Sequence, residues 1–156
     1  MPDIASRLQQ LSLTLPTPSK PVANYIPAVS VPAGAKLLYI SGQVPLRDGK
    51  LIASGVVPSA VSIEQAQTCA RQCVLNALAA AQMELGSLDK IRRVVRIGVF
   101  VACDATFTEH PKVGNGASDL LVEIFGEAGK HARAAVGVPC LPLGAPVEVE
   151  FVFEVA

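Results

Sequence analysis

The sequence predicts an α+β fold, a mixed sheet that carries its helices on one face. Three observations predict it: apolar–polar alternation near the C-terminus, two longer segments with helical apolar spacing, and the interspersing of those helices with strands. One face of such a sheet is covered by helices, and the other needs a cover of its own.

Each element is read from its residues. Ile4, Leu8, Leu11 and Leu15 recur at helical spacing after Asp3, a residue suited to capping, so a short amphipathic helix opens the chain and stops near Pro16 and Pro18. From Lys20 to Gly55 the chain reads as extended pieces broken by Pro and Gly, with KLLYISGQ the clearest strand and RDGK a turn before KLIAS, which predicts a β-meander at the start of the sheet. Ser62 and Gln65 have capping-box spacing, Ala and Leu dominate the residues after them, and Gly86 marks the stop of a long helix near Leu85. IRRVVRIGVFVAC is β-branched and nearly continuously apolar towards its end, as a central strand is, and Cys103 closes it.

Val113, Ala117, Leu120, Leu121, Ile124 and Phe125 trace one face of a second helix that Gly126 and Gly129 interrupt. Two strands, ARAAVGV and PVEVEFVFEVA, complete the chain around the turn region PCLPLGA.

With 156 residues, 51% of them hydrophobic and only 17% charged, the chain builds a substantial core and keeps apolar surface that fits contact with another subunit. Thirteen basic residues balance thirteen acidic ones and aromatics make up 4%, so neither a phosphate-tracking face nor a row of base-stacking rings stands out, and nucleic acid is not expected as a partner. No apolar run is long enough to span a membrane. Cys69, Cys73, Cys103 and Cys140 lie in apolar stretches without the spacing of a disulfide framework, and the N-terminus lacks a signal-peptide pattern, so a cytoplasmic location is expected.

In the last strand Val147, Val149, Phe151, Phe153 and Val155 point one way and Glu148, Glu150 and Glu154 the other. In the strand before it Ala134, Val136 and Val138 share a face, leaving Arg133, Ala135 and Gly137 on the opposite one. If the two strands pair as a hairpin, Arg133 shares with the glutamates the face away from the helices. There it either forms a cross-strand ion pair with a glutamate or uses its planar fork to grip a carboxylate ligand.

The segments NYIPAV, YISGQVPL, NGASDLL and HARAAVGVPCLPLGAPVEVE, in that order from about Pro21 to the C-terminus, together resemble the Rid family of YjgF-like reactive-intermediate deaminases. The resemblance implies a chorismate-mutase-like fold, a homotrimer with active sites in clefts between subunits, and one domain over residues 21–156 preceded by an extension over residues 1–20. It also implies hydrolysis of an imine, tautomerised from an enamine, to a 2-keto acid and ammonia, without metal or organic cofactor.

Matched residue by residue, the resemblance makes Arg133 the group that binds the substrate carboxylate and Glu148 the one that positions the attacking water. Tyr25 becomes the aromatic wall, Ser41 and Gly42 a lining loop, and Asn115 a polar residue at the rim. Many members carry a cysteine where this chain has Ala135, so thiol chemistry is not implied there and only backbone contact to ligand is. Met1–Lys20 and HPKVGNGASDLL mark a divergent branch.

Other groups read as structural. Cys69 and Cys73, one helical turn apart, are read as core residues because no CxxC or HExxH accompanies them. His131, two residues before Arg133, is read as a surface or capping residue in preference to one at the cleft rim, and Asp104 and Glu109 are loop or helix-entry residues. SGQ lacks the glycine spacing of a phosphate cradle. Two other readings stand beside the deaminase: a module that senses a keto acid through Arg133 without turnover, and a ribonuclease, which the neutral charge and scarce aromatics disfavour.

Overall fold

The computed structural model describes residues 4–15, 24–26 and 28–156. These residues form six strands and three helices in the order α1 (Ile4–Gln10), β1 (Lys36–Gln43), β2 (Leu46–Arg47), β3 (Lys50–Leu51), α2 (Ile63–Leu85), β4 (Ile91–Ala102), α3 (His110–Phe125), β5 (Ala132–Val138) and β6 (Val147–Val155), with short 3-10 turns between some of them.

α1 ends earlier than its apolar spacing predicts. Ser12 turns to φ 54°, and the amides of Ser12 and Leu13 bond back to the carbonyls of Gln9 and Leu8, which closes the helix before Leu15. Leu11, Leu13 and Leu15 are exposed, so little apolar burial favours a longer helix. The proposed cap Asp3 and the boundary between residues 20 and 21 lie outside the described residues.

The main sheet has the order β1-β6-β4-β5, antiparallel except for the β4/β5 pair. Only β1 of the expected meander belongs to it. β2 and β3 form a separate hairpin whose two-residue turn, Asp48 and Gly49, takes positive φ at both positions, the conformation that matches the twist of paired strands. Arg47 and Asn76 fasten that hairpin to α2, through Gln72 and through the carbonyls of Val44 and Leu46.

α2 has the predicted ends. Ser62 accepts from the Gln65 amide, the Gln65 side chain accepts from the Ser62 amide, and Gly86 closes the helix in the left-handed region. Its buried stripe of Ala66, Cys69, Ala70, Cys73, Val74, Ala77 and Ala81 is made of small side chains, which brings the helix close to the sheet. Both thiols are core residues, as expected, and burial pushes the Cys69 pKa up to about 11.

α2 and α3 lie on the same face, over the odd-numbered residues of β6, where Phe151 and Phe153 stack at 5.9 Å. Gly116 lets the two helices meet closely: a Cβ there would come 2.8 Å from the Cα of Gln67. The Gln67 amide group donates to the Lys112 carbonyl, and Arg71 pairs with Glu123, across the same contact. The opposite face of the sheet carries exposed Leu37, Tyr39 and Val136 beside Glu148 and Glu150.

β5 and β6 do not form the expected hairpin. β4 runs between them, because β4-α3-β5 is a parallel crossover unit and the turn after β5 sends the chain past β4 to its other side. That insertion reassigns the faces. Arg133 aligns with Ile97 and then with Phe151, a core residue, so it points to the helix side of the sheet. Val136 aligns with Phe100 and Glu148 on the uncovered side. The ion pair on that uncovered face is made by Arg96 with Glu150 at 2.7 Å, not by Arg133. Glu154, also predicted to point outward, is only 5% exposed.

Candidate active site

Arg133 enters the layer between β5 and α3 because Gly114 leaves room for it: a Cβ on Gly114 would lie 3.1 Å from the guanidinium. One terminal nitrogen, Nη1, donates to Asn115 Oδ1 and to Ser118 Oγ, both at 3.0 Å. Tyr25 lies over the guanidinium, with its ring centroid 4.7 Å from Cζ. Among the described residues Nη2 and Nε have no protein partner, and they form the edge of the fork that fits a carboxylate. Burial lowers the Arg133 pKa, and Tyr25 and Asp119 act in the opposite direction.

The segment bearing Tyr25 is tied from both sides. The Ile26 amide donates to the His131 carbonyl at 2.9 Å, and Asn24 Nδ2 donates to Asp119 Oδ1 at 2.9 Å. α3 therefore supplies Asn115, Ser118 and Asp119 to one cluster, at the i, i+3, i+4 spacing of a single helix face.

His131 is neither at the surface nor at a cleft rim. It is fully buried, its Nδ1 donating to the Gly129 carbonyl at 2.6 Å and its Nε2 lying 3.0 Å from Ser118 Oγ. Burial pulls its pKa down to about 4, the Gly129 bond opposes this, and the neighbouring Arg133 charge adds to it. The imidazole is therefore neutral at physiological pH. Sequence reasoning missed Ser118 and placed His131 at the surface or in a cap. The available signal was their phase, one helical turn after Asn115 and two residues before Arg133 on the same side of the strand.

The seven residues singled out from the sequence separate into two groups. Tyr25, Asn115, Arg133 and Ala135 line the helix side of β5. Ser41, Gly42 and Glu148 lie on the uncovered side, where the Glu148 carboxylate sits against the bare backbone of Gly42 beside an irregularity in the β1/β6 register. One chain does not bring Arg133 and Glu148 to a common ligand.

Further along β5 is a cavity of about 630 Å3 lined by Val56, Cys103, Phe107, His110, Gly137 and Pro139 among others. Cys103 Sγ and His110 Nε2 are 3.4 Å apart in its wall, with Phe107 edge-on to the imidazole. Gly137 makes that pairing possible, since a Cβ there would lie 2.5 Å from His110 Nε2 and 2.7 Å from Cys103 Sγ. Among the described residues no group of three or more His, Cys, Asp or Glu side chains is arranged to hold a metal ion, and no helix is long and apolar enough to cross a membrane.

The chain is similar to known proteins over nearly its whole length. Residues 5–155 match the family described as "YjgF/chorismate_mutase-like, putative endoribonuclease". Protein TCP17 of Trypanosoma cruzi is 41% identical over 152 residues, 97% of this chain and 93% of that protein. The crystal structure of Atu1372 from Agrobacterium tumefaciens, a protein of unknown function, superposes with a TM-score of 0.75 at 42% identity, covering 97% of this chain and 91% of the other. YyfA of Yersinia pestis, a Rid-family protein of unknown function, superposes with a TM-score of 0.51 at 26% identity over 76% of this chain and 80% of its own. The fold, the order of its elements and these similarities together establish that the chain belongs to the YjgF/chorismate-mutase-like family, the Rid proteins.

Proposed function

We propose that the protein hydrolyses 2-imino acids, the tautomers of reactive enamines, to 2-keto acids and ammonia, in clefts between copies of the chain. The observation that carries this reading is the Arg133 guanidinium, held through Nη1 and stacked by Tyr25 while its Nε and Nη2 edge has no protein partner among the described residues. A carboxylate is the ligand that such an edge fits best.

With the carboxylate held, the adjacent C=N carbon is fixed in place, and protonation of the imine nitrogen makes it electrophilic. Water adds to that carbon, a proton passes from the added oxygen to nitrogen, and the C–N bond breaks to release ammonia and leave the 2-keto acid. Positioning supplies much of the acceleration, and Glu148 accepts a hydrogen bond from the attacking water. Because Glu148, Ser41 and Gly42 face away from Arg133, a second copy supplies them. The uncovered sheet face with Leu37, Tyr39 and Val136 gives that copy an apolar surface, and a homotrimer closes the arrangement. Four free cysteines support a reducing compartment such as the cytoplasm.

The separation of Arg133 from Glu148 in one chain also favours a second reading, a keto-acid sensor that needs Arg133 alone. RNA cleavage is less well supported: the formal net charge is zero and His131, fully buried and neutral, is out of reach of a polymer.

The test generates imines with an amino-acid oxidase, traps the remainder with semicarbazide, and compares wild type with Arg133→Ala and Glu148→Gln. Loss of the charge-assisted contacts in Arg133→Ala should cost about 1.5–3 kcal/mol, roughly ten- to a hundredfold in rate. Turnover lost in both variants, with keto-acid binding kept in Glu148→Gln, supports the deaminase. Binding without turnover in wild type leaves the sensor.

A further inference from the structure

We propose that His131 is a positioning residue for Arg133, acting through Ser118, and that the pair orients the guanidinium for its carboxylate ligand. This rests on the reading of Arg133 as a carboxylate-binding group.

Hydrogen-bond direction assigns the roles. A guanidinium only donates and a backbone carbonyl only accepts. Between Arg133 Nη1 and the Gly129 carbonyl lie Ser118 Oγ and the two nitrogens of His131, joined by contacts of 3.0, 3.0 and 2.6 Å. The two ends fix everything between them. Nδ1 carries the imidazole proton, because it meets a carbonyl. Nε2 is therefore an acceptor and takes the Ser118 hydroxyl proton, so the oxygen lone pairs of Ser118 are turned to Arg133.

Without an acceptor on its far side, a helical serine commonly gives its proton to the carbonyl one turn back and its lone pairs point elsewhere. Ser118 and His131 are both fully buried, so no water substitutes for either. Gly129 anchors the far end because its Cα lies directly against the backbone of Leu121 and Val122, a contact that any side chain would break. The array thus ties the orientation of Arg133 to α3 at two points, through Ser118 within the helix and through Gly129 packed against the backbone of Leu121 and Val122, and it specifies which nitrogens of the fork remain for the ligand.

The test pairs two variants of similar polarity. His131→Gln retains an acceptor near the place of Nε2, while His131→Asn retains only the donor near the place of Nδ1. The first readout is the 15N–1H spectrum of the guanidinium groups in the ligand-free protein, with Arg133 assigned by Arg133→Lys. Wild type and His131→Gln should show resolved Nη1 protons, and His131→Asn and Ser118→Ala should lose them to rotational averaging. The second is imine hydrolysis, where His131→Asn should raise KM about tenfold with little change in kcat, His131→Gln should restore most of it, and the effects of His131→Asn and Ser118→Ala should not add.

Resolved signals in folded Ser118→Ala, or equal losses in the glutamine and asparagine variants, would overturn the proposal. If the guanidinium signals respond as expected while wild type hydrolyses no imine, the positioning role stands and the deaminase reading fails.

Discussion

The carboxylate of Glu148 rests on Gly42, one strand away on the uncovered face of the sheet, so closely that even a methyl group on Gly42 would occupy the place of Oε1. The relationship links an edge strand to the residue assigned to the attacking water. Gly42→Ala should displace the flexible end of Glu148 rather than the backbone, so thermal stability changes little. Turnover should fall by about tenfold, a fraction of the roughly 10²–10⁴ that a positioned carboxylate contributes. Paired melting curves and imine-hydrolysis rates check this.

Acid should weaken the fold through His131. Its pKa is lowered from 6.5 to about 4 by burial. Between those values the unfolded chain binds a proton that the folded chain refuses, so stability rises with pH across the window and is lost as the solution is acidified through it. The loss is on the order of 3 kcal/mol over the whole window. Urea unfolding at several pH values should show this slope in wild type and a flatter one in His131→Gln, which has no imidazole to protonate.

The four thiols should react in three classes. Cys140 is exposed, Cys103 is half-buried with its pKa raised by burial, and Cys69 and Cys73 are buried with theirs raised further. A chromogenic disulfide at neutral pH should modify Cys140 quickly, Cys103 more slowly, and Cys69 and Cys73 only once denaturant opens the α2 packing. Peptide mapping of the modified protein assigns the classes.

Ser62→Ala removes the serine half of the α2 capping box, the bond it accepts from the Gln65 amide. The expected cost is about 1 kcal/mol of stability. A shift of the denaturant midpoint with an unchanged slope is the signature of that loss.

Features that depend on neighbours in sequence were legible before the structure. Ser62, Gln65 and Gly86 delimit α2, and the alternation from Val147 to Val155 gives β6 its two faces. The Rid motifs identified the family and the fold. What remained hidden depends on partners remote in sequence. Alternation sorts the residues of β5 into two sets but does not say which set meets the helices, and the insertion of β4 between β5 and β6 reverses the face expected for Arg133. The same gap concealed Ser118 and His131, because a hydroxyl and an imidazole separated by thirteen residues reveal a shared proton only when helix and strand are superposed.

Asn115 and Gly116 are neighbours with opposite duties, one bonded to Arg133 and the other pressed on the backbone of α2. The depth at which α3 seats is fixed at Gly116, and Asn115, Ser118 and Asp119 move with it as a rigid body. In a saturation-mutagenesis screen scored by turnover, Gly116 would rank with the residues that touch substrate, although the atoms nearest to any side chain placed there belong to Gln67 of the neighbouring helix.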